Sequence, residues 1–187
     1  MMMRLAEVLA GLTWPVPEAP EPPEGEDPPP APDPVPVFGA VAFYDSGRVQ
    51  EAVDALYDYS DAMAVIVPAS DSYRCEDGCG SLVVKQDVEI DIYLTGRAWD
   101  PTTRIHEFMG MLQSGGEWVL NEDDPGMIAR KDAVVLALAA KTLGGILYRP
   151  LTPVRAVPLT LDGDSGLRKS YLITFRADAD DASLPIT

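Results

Sequence analysis

The sequence predicts an α+β domain: a single, mainly antiparallel β-sheet packed by two to four helices, with a proline-rich acidic arm near the N-terminus. Three observations carry this. Ser81 to Thr95 alternates apolar and polar residues with a period of two, which one buried and one wet face of an antiparallel strand require. Arg48 to Tyr59 places Val49, Ala52, Val53, Leu56 and Tyr57 at helical spacing. The elements follow as helix, strand, helix, strands, two helices and two strands, not as a regular βαβ alternation.

Taken in order, Arg4 to Leu12 carries Leu5, Val8, Leu9 and Leu12 on one helical stripe. Nine residues are too few for a stable isolated helix, so it must dock. Residues 1–14 are read as this helix and 15–36 as the arm. From Pro15 to Pro36, 22 residues hold 11 prolines, six acids and no base. Proline fixes φ and removes amide donors, so extended polyproline II is expected there. The core is read as 37–177. Val37 to Tyr44 is β-rich and stops at Asp45-Ser46-Gly47; Met63 to Val67 is a short strand that Pro68 ends.

Beyond the long strand, Thr103 to Gln113 reads as a helix through Ile105, Phe108, Met109 and Leu112, and Glu117 to Leu120 as a short strand. Asp123-Asp124-Pro125 supplies an acidic cap and a first-turn proline. The helix that follows, Met127 to Leu143, has almost no polar face after Asp132, which predicts burial on both sides. Val154–Leu161 and Ser170–Ala177 are the last strands, joined by Asp162-Gly163-Asp164-Ser165-Gly166; 178–187 reads as an acidic tail.

Composition limits the chemistry. The chain has 187 residues and a formal net charge of −16. That balance opposes sequence-independent nucleic-acid binding and docking on anionic membranes, both of which need clustered bases. No apolar run is long enough to span a bilayer, and the start has no secretory h-region. Two cysteines, Cys75 and Cys79, read as lying in a loop between strands, form no framework; a C-x3-C pair without a second pair is a weak zinc signal.

No constellation reads as an enzyme. Gly163-Asp164-Ser165-Gly166 matches the peptide around a chymotrypsin-like nucleophile, but the chain lacks strands for two barrels, and those residues are ordinary turn formers. His106, the only histidine, sits on an amphipathic stretch with no second catalytic group tied to it. No phosphate loop, dinucleotide fingerprint or metalloprotease motif occurs, and no cofactor or metal is expected. Asp87, Glu89 and Asp91 share one strand face, about 7 Å apart in succession. They read as a solvated face, a divalent-ion site, or a wall whose negative charge repels nucleic-acid phosphates.

The layout resembles the tail terminator (tail completion, head–tail joining) proteins of long-tailed bacteriophages. The resemblance covers about Val41 to Ala177. It rests on the helix Arg48–Tyr59 before "MAVIVPAS", on "SLVVKQDVEIDIYLTGR", and on the late apolar helix leading to "PLTPVRAVPLTLDGDSGLRKSYLITFRA". The proline-rich arm, the cysteine stretch and Trp99 to Leu120 depart from it. The resemblance implies a non-catalytic virion subunit, made in the bacterial host cytoplasm. It would form a ring, commonly a hexamer, at the head-proximal end of the tail. Its partners would be itself, the tail tube protein and the head connector protein, with DNA passing through without specific binding.

Charge placement, independently of the family, makes Asp87, Glu89 and Asp91 the expected channel-wall acids. Arg97, Arg104, Arg130 and Lys131 become the expected inter-subunit bases. Other readings stay open: another head–tail adaptor subunit of the virion, a non-viral binding module using the acidic proline-rich arm, and a metal-dependent hydrolase using the strand carboxylates.

Overall fold

The computed structural model describes residues 2–15, 33–44, 51, 62–78, 81–97, 102–139, 143, 150–159 and 168–183, with the outer parts of the long strands described by backbone alone. The elements are α1 (Met2–Ala10), β1 (Ala40–Phe43), β2 (Ala62–Gly78), β3 (Ser81–Arg97), α2 (Arg104–Phe108), β4 (Met111–Ser114), β5 (Glu117–Leu120), α3 (Gly126–Leu138), β6 (Thr152–Leu159) and β7 (Arg168–Ser183). Five strands form one mixed sheet in the order β1-β2-β3-β7-β6, and β4 and β5 form a second, two-stranded sheet. All pairings are antiparallel except β1 with β2. A parallel pair needs a crossover and not a hairpin; of the helix expected at Arg48–Tyr59, between these strands, all but Glu51 lies outside the described residues.

The alternation in β3 sets the core. Val88, Ile90, Ile92 and Leu94 are all buried and pack with Ala62, Ala64 and Ile66 of β2 and Ile173, Phe175 and Ala177 of β7. Against this face lie Leu5 and Leu9 of α1 and Met127, Val134 and Leu138 of α3. The two leucines are a turn apart, so one stripe of a short helix is enough to seat it. The opposite face is drier than the alternation suggested. Met63, Val65 and Val67 are buried there, as are Thr95, Leu172 and Thr174.

The structure corrects several boundaries. Pro68 does not end β2, which runs on to Gly78. A bulge between Pro68 and Ser70 absorbs the irregularity, and β1 has already ended opposite Ile66, so the missing donor is at an edge. Cys75 therefore stands in β2 opposite Val84, not in a loop, while Cys79 is outside the described residues. β7 likewise continues to Ser183, taking in acids read as a tail.

The helix expected to reach Gln113 stops at Phe108, because the chain turns at Gly110 (φ +74°) and starts a hairpin. Gly115 and Gly116, both at positive φ, make the two-residue turn that this hairpin requires. The expected single sheet is thus joined by a second.

The described part of α3 ends at Leu138, and it is not covered on both sides. Ile128 is 38% and Leu136 78% exposed, so the apolar outer face meets water. The sheet also outruns the described helices. Strands of 17 residues span about 56 Å at ~3.3 Å per residue. The described helices total 9, 5 and 13 residues, about 40 Å at ~1.5 Å per residue even if laid end to end. β1 flanks β2 only across Met63–Ile66, and β6 flanks β7 only from Ser170 to Arg176. Past these limits β2, β3 and β7 continue as a three-stranded ribbon.

Two glycines fix how the hairpin meets α3. A Cβ on Gly126 (φ +81°) would lie 2.2 Å from the Gly110 nitrogen, and one on Gly110 would lie 2.4 Å from the Pro125 carbonyl oxygen. Both are backbone atoms that cannot swing away. Gly126→Ala adds this clash to the ~1–2 kcal/mol cost of a left-handed residue. It is expected to lower the melting temperature by at least about 2–8 °C, at ~2–4 °C per kcal/mol for a chain of this size. Gly115→Ala, with nothing within 4 Å of its Cβ, should cost less than Gly126→Ala. Thermal melts by circular dichroism check both.

Candidate assembly surface

The carboxylate row divides on inspection. Glu89 stands opposite Arg176 and accepts a 2.7 Å hydrogen bond from it, and the Ser70 hydroxyl lies 3.5 Å away. The Arg176 hydrogen bond is the main reason the Glu89 carboxyl sits below its usual range. Asp91 accepts a 2.6 Å hydrogen bond from Thr174 Oγ1, which in turn accepts one from Arg155 Nε at 3.1 Å. The register brings these groups together from four strands, β2, β3, β6 and β7. It also places bases among the acids, so the like-charge repulsion expected along β3 is offset across the sheet. Asp87 continues the same register position on the ribbon; its side chain is outside the described residues.

The expected inter-subunit bases have different fates. Arg97 ends β3 and is exposed. Arg104 opens α2, its side chain outside the described residues. Lys131 is partly buried, pairs with Asp132 at 2.5 Å and lies 6.0 Å from the Tyr171 ring centre. Arg130 points inward. Its Nε donates to the Val37 carbonyl at 3.2 Å, its Nη1 donates to the Gly126 carbonyl at 3.3 Å and to Asp124, and its guanidinium carbon stands 5.8 Å from the centre of the Trp14 ring. Being 9% exposed, it faces its own chain and is not presented to a neighbour.

Asp124 is the residue that sequence reading underrated. It was expected only to cap α3, and it does take the Gly126 N–H at 3.0 Å although Pro125 occupies the cap position. It also accepts from Lys169 Nζ at 2.6 Å. Lys169 is 3% exposed, and the 45 positions separating it from Asp124 leave no local sequence signal. Burial alone would raise the Asp124 carboxyl. The hydrogen bonds and charges of Lys169 and Arg130 outweigh burial and hold it at about 2.

Of the twelve large apolar side chains exposed among the described residues, seven fall between 105 and 136. Ile105 is on α2 and Met109 just after it, Leu112, Val119 and Leu120 are on the β4–β5 hairpin, and Ile128 and Leu136 on α3; the other five are Met3, Val35, Phe43, Val154 and Val157. An isolated two-stranded hairpin is marginal in water, so contacts to this one matter. His106 stacks on Trp118 with ring centres 3.6 Å apart and planes within 3°, joining α2 to the hairpin. No family model matches the chain, and no curated protein does. Among the described residues no group of three or more His, Cys, Asp or Glu is arranged to hold a metal ion, and no helix is long and apolar enough to cross a membrane.

The Asp124 cluster gives a pH signature. A carboxyl lowered from 3.8 to about 2 stabilises the fold above its unfolded value and loses that contribution as pH falls from about 4 to about 2. The size is about 2 kcal/mol, from ~1.4 kcal/mol per pH unit. Asp124→Asn should therefore melt well below the parent at pH 6, and the gap should narrow by pH 2.5. Melts of both proteins across this range test it; a constant gap would contradict it.

Proposed function

We propose that this chain is a structural subunit that assembles into a ring, in the role of a tail terminator at the head-proximal end of a bacteriophage tail tube. The observation that carries the reading is the length mismatch between sheet and helices: a three-stranded ribbon of β2, β3 and β7 extends past the described helices. Such an extension is costly for a solitary globule and useful to a subunit that must reach a neighbour. The 78% exposure of Leu136 on α3 and the 77% exposure of Leu120 on the hairpin support the same reading, because large apolar side chains left in water suit a surface that a neighbour covers. The net charge of −16 suits a channel through which DNA passes without binding. Heterologous contacts that close on themselves give a ring, and one face that refuses a further tube ring ends growth. In this reading the virion is the site of action and catalysis plays no part.

A second reading keeps a monomer that binds a partner through the proline-rich arm. One observation favours it: the arm is rooted at both ends. Trp14 N donates to the Val35 carbonyl at 2.8 Å, Val37 N donates to the Leu12 carbonyl at 2.9 Å, and Thr13 bridges Pro36. The described segments on either side of the arm, Leu12–Trp14 and Val35–Val37, are thus paired with each other.

Light scattering on the purified chain, followed by negative-stain imaging, distinguishes the two. The ring reading predicts a mass several times 20.2 kDa and particles with a central hole. Leu136→Asp and Leu120→Asp should each lower that mass while leaving the circular dichroism spectrum unchanged. A monomer both alone and when mixed with tail tubes would sink the ring reading.

A further inference from the structure

The three-stranded ribbon is left without flanking strands on both sides at nearly the same height. On one side β1 ends opposite Ile66, and among the described residues nothing pairs with the outer edge of β2 beyond that point. On the other side β6 begins opposite Arg176, and nothing described pairs with the outer edge of β7 past it. Glu89 of β3 marks the common limit, since its partners are Ser70 on β2 and Arg176 on β7. Pro68, Ala69 and Ser70, just beyond the end of β1, are exposed, and so is Arg176.

An open edge presents unpaired N–H and C=O groups, and proteins ordinarily keep it short or blunt it with proline or charge. The two ends of the whole sheet use the first devices: β1 has 4 residues, and β6 carries Pro153 and Pro158. After Pro68 neither β2 nor β7 contains a proline. Their guard is charge, and its sign differs between the edges. Past Arg176, β7 brings Asp178, Asp180 and Asp181 and no base, whereas β2 places Arg74 among Asp71, Glu76 and Asp77.

The register shows how the two edges match. Asp87 has Ser72 on one side and Asp178 on the other, Val88 has Asp71 and Ala177, and Val83 has Glu76 and Ser183. Lys85 has Arg74 opposite it on β2, and its row on β7 is the bulge that holds Asp180 and Asp181. This row carries its bases toward the β2 edge and its acids at the β7 edge. A second copy set level beside the first brings Arg74 to the row of Asp180 and Asp181. Asp71, Glu76 and Asp178 then each meet an uncharged residue, Ala177, Ser183 and Ser72. Direction agrees as well. β2 and β7 are both antiparallel to β3 and so run the same way. Copies turned about an axis along the strands keep that direction, which gives a parallel joint and leaves the far edge open for the next copy.

From this we infer that the ribbon is the joint between copies of the chain. The β2 edge of one copy, residues 70–78, pairs in parallel with the β7 edge of the next, residues 177–183, with Arg74 against Asp180 and Asp181. The inference rests on the ring reading above and specifies the contact that closes it.

The test joins Ser72→Cys and Asp178→Cys in the full chain, with Cys75→Ser and Cys79→Ser to remove the native thiols. Within one chain the two positions are two strands apart, about 10 Å at ~4.8 Å per strand, which exceeds the ~6.8 Å a disulfide spans. Across the joint they are on adjacent strands, about 5 Å apart. Oxidation of the assembled protein should give a ladder of dimers, trimers and larger multimers on a denaturing gel, which neither single cysteine gives. Glu76→Cys with Ser183→Cys, nearer the hairpin end, is an independent second pair. In the unmodified chain, Arg74→Glu should lower the association constant by light scattering at least about tenfold, and adding Asp181→Arg should recover part of it. Unchanged thermal melts show that the variants are folded. A multi-subunit mass with no ladder from either pair overturns the edge pairing and leaves the ring standing. Dimers from Ser72→Cys alone as abundant as from the pair mean that β2 meets β2 about a two-fold axis, which also overturns it. Indifference to Arg74→Glu overturns the register. A monomer both alone and when mixed with tail tubes overturns the joint and the ring together.

Discussion

One carboxylate holds three parts of this fold together. Asp124 takes the first amide of α3, the buried ammonium of Lys169 on β7 and the guanidinium of Arg130 one turn into α3. Two buried bases on one acid are stable only where the remaining donors are also satisfied. Arg130 achieves this through the Val37 and Gly126 carbonyls. Losing Asp124 would leave Lys169 charged and unpaired at 3% exposure, which is costlier than losing an ordinary surface pair.

The same cluster reaches the functional features. Through Val37 and the Trp14 ring, Arg130 touches both stems of the proline-rich arm, so the arm is rooted on α3 as well as on itself. Through Asp124, it stands behind the wall of a cavity between α2 and the hairpin. The close approach of Gly110, which lines that cavity, and Gly126 holds the hairpin entry against α3, since a side chain at either position would push the two segments apart. The chain thus carries the cavity and the apolar outer face of α3 on one frame, with the sheet extending beyond the described helices.

What was legible in the sequence follows from the range of each interaction. The period-two pattern of β3 places its buried face at Val88, Ile90, Ile92 and Leu94 because alternation is a local property that tertiary contacts do not change. Hairpin β4–β5 was half visible: Glu117–Leu120 read as a strand, but Ile105, Phe108, Met109 and Leu112 kept helical spacing across Gly110, and the spacing hid the turn. Pro68 misled because its effect depends on which neighbours remain on its edge, a fact set by where β1 stops. The fate of Arg130 was invisible for the same reason. An arginine on a helix is ordinarily solvated, and only Val37 and Asp124, brought there by the fold, turn it inward.

The central structural claim is that the Asp124 cluster couples the arm root, α3 and the sheet into one cooperative unit. Native-state hydrogen exchange tests it most directly. The amides of Trp14, Val37 and Gly126, each bonded at the root or the cap, are predicted to open with the same free energy as the central amides of β3, and Asp124→Asn should lower all of them together. If Trp14 and Val37 exchange through their own low-energy opening, unaffected by Asp124→Asn, the arm root is an independent clasp and the coupling does not exist.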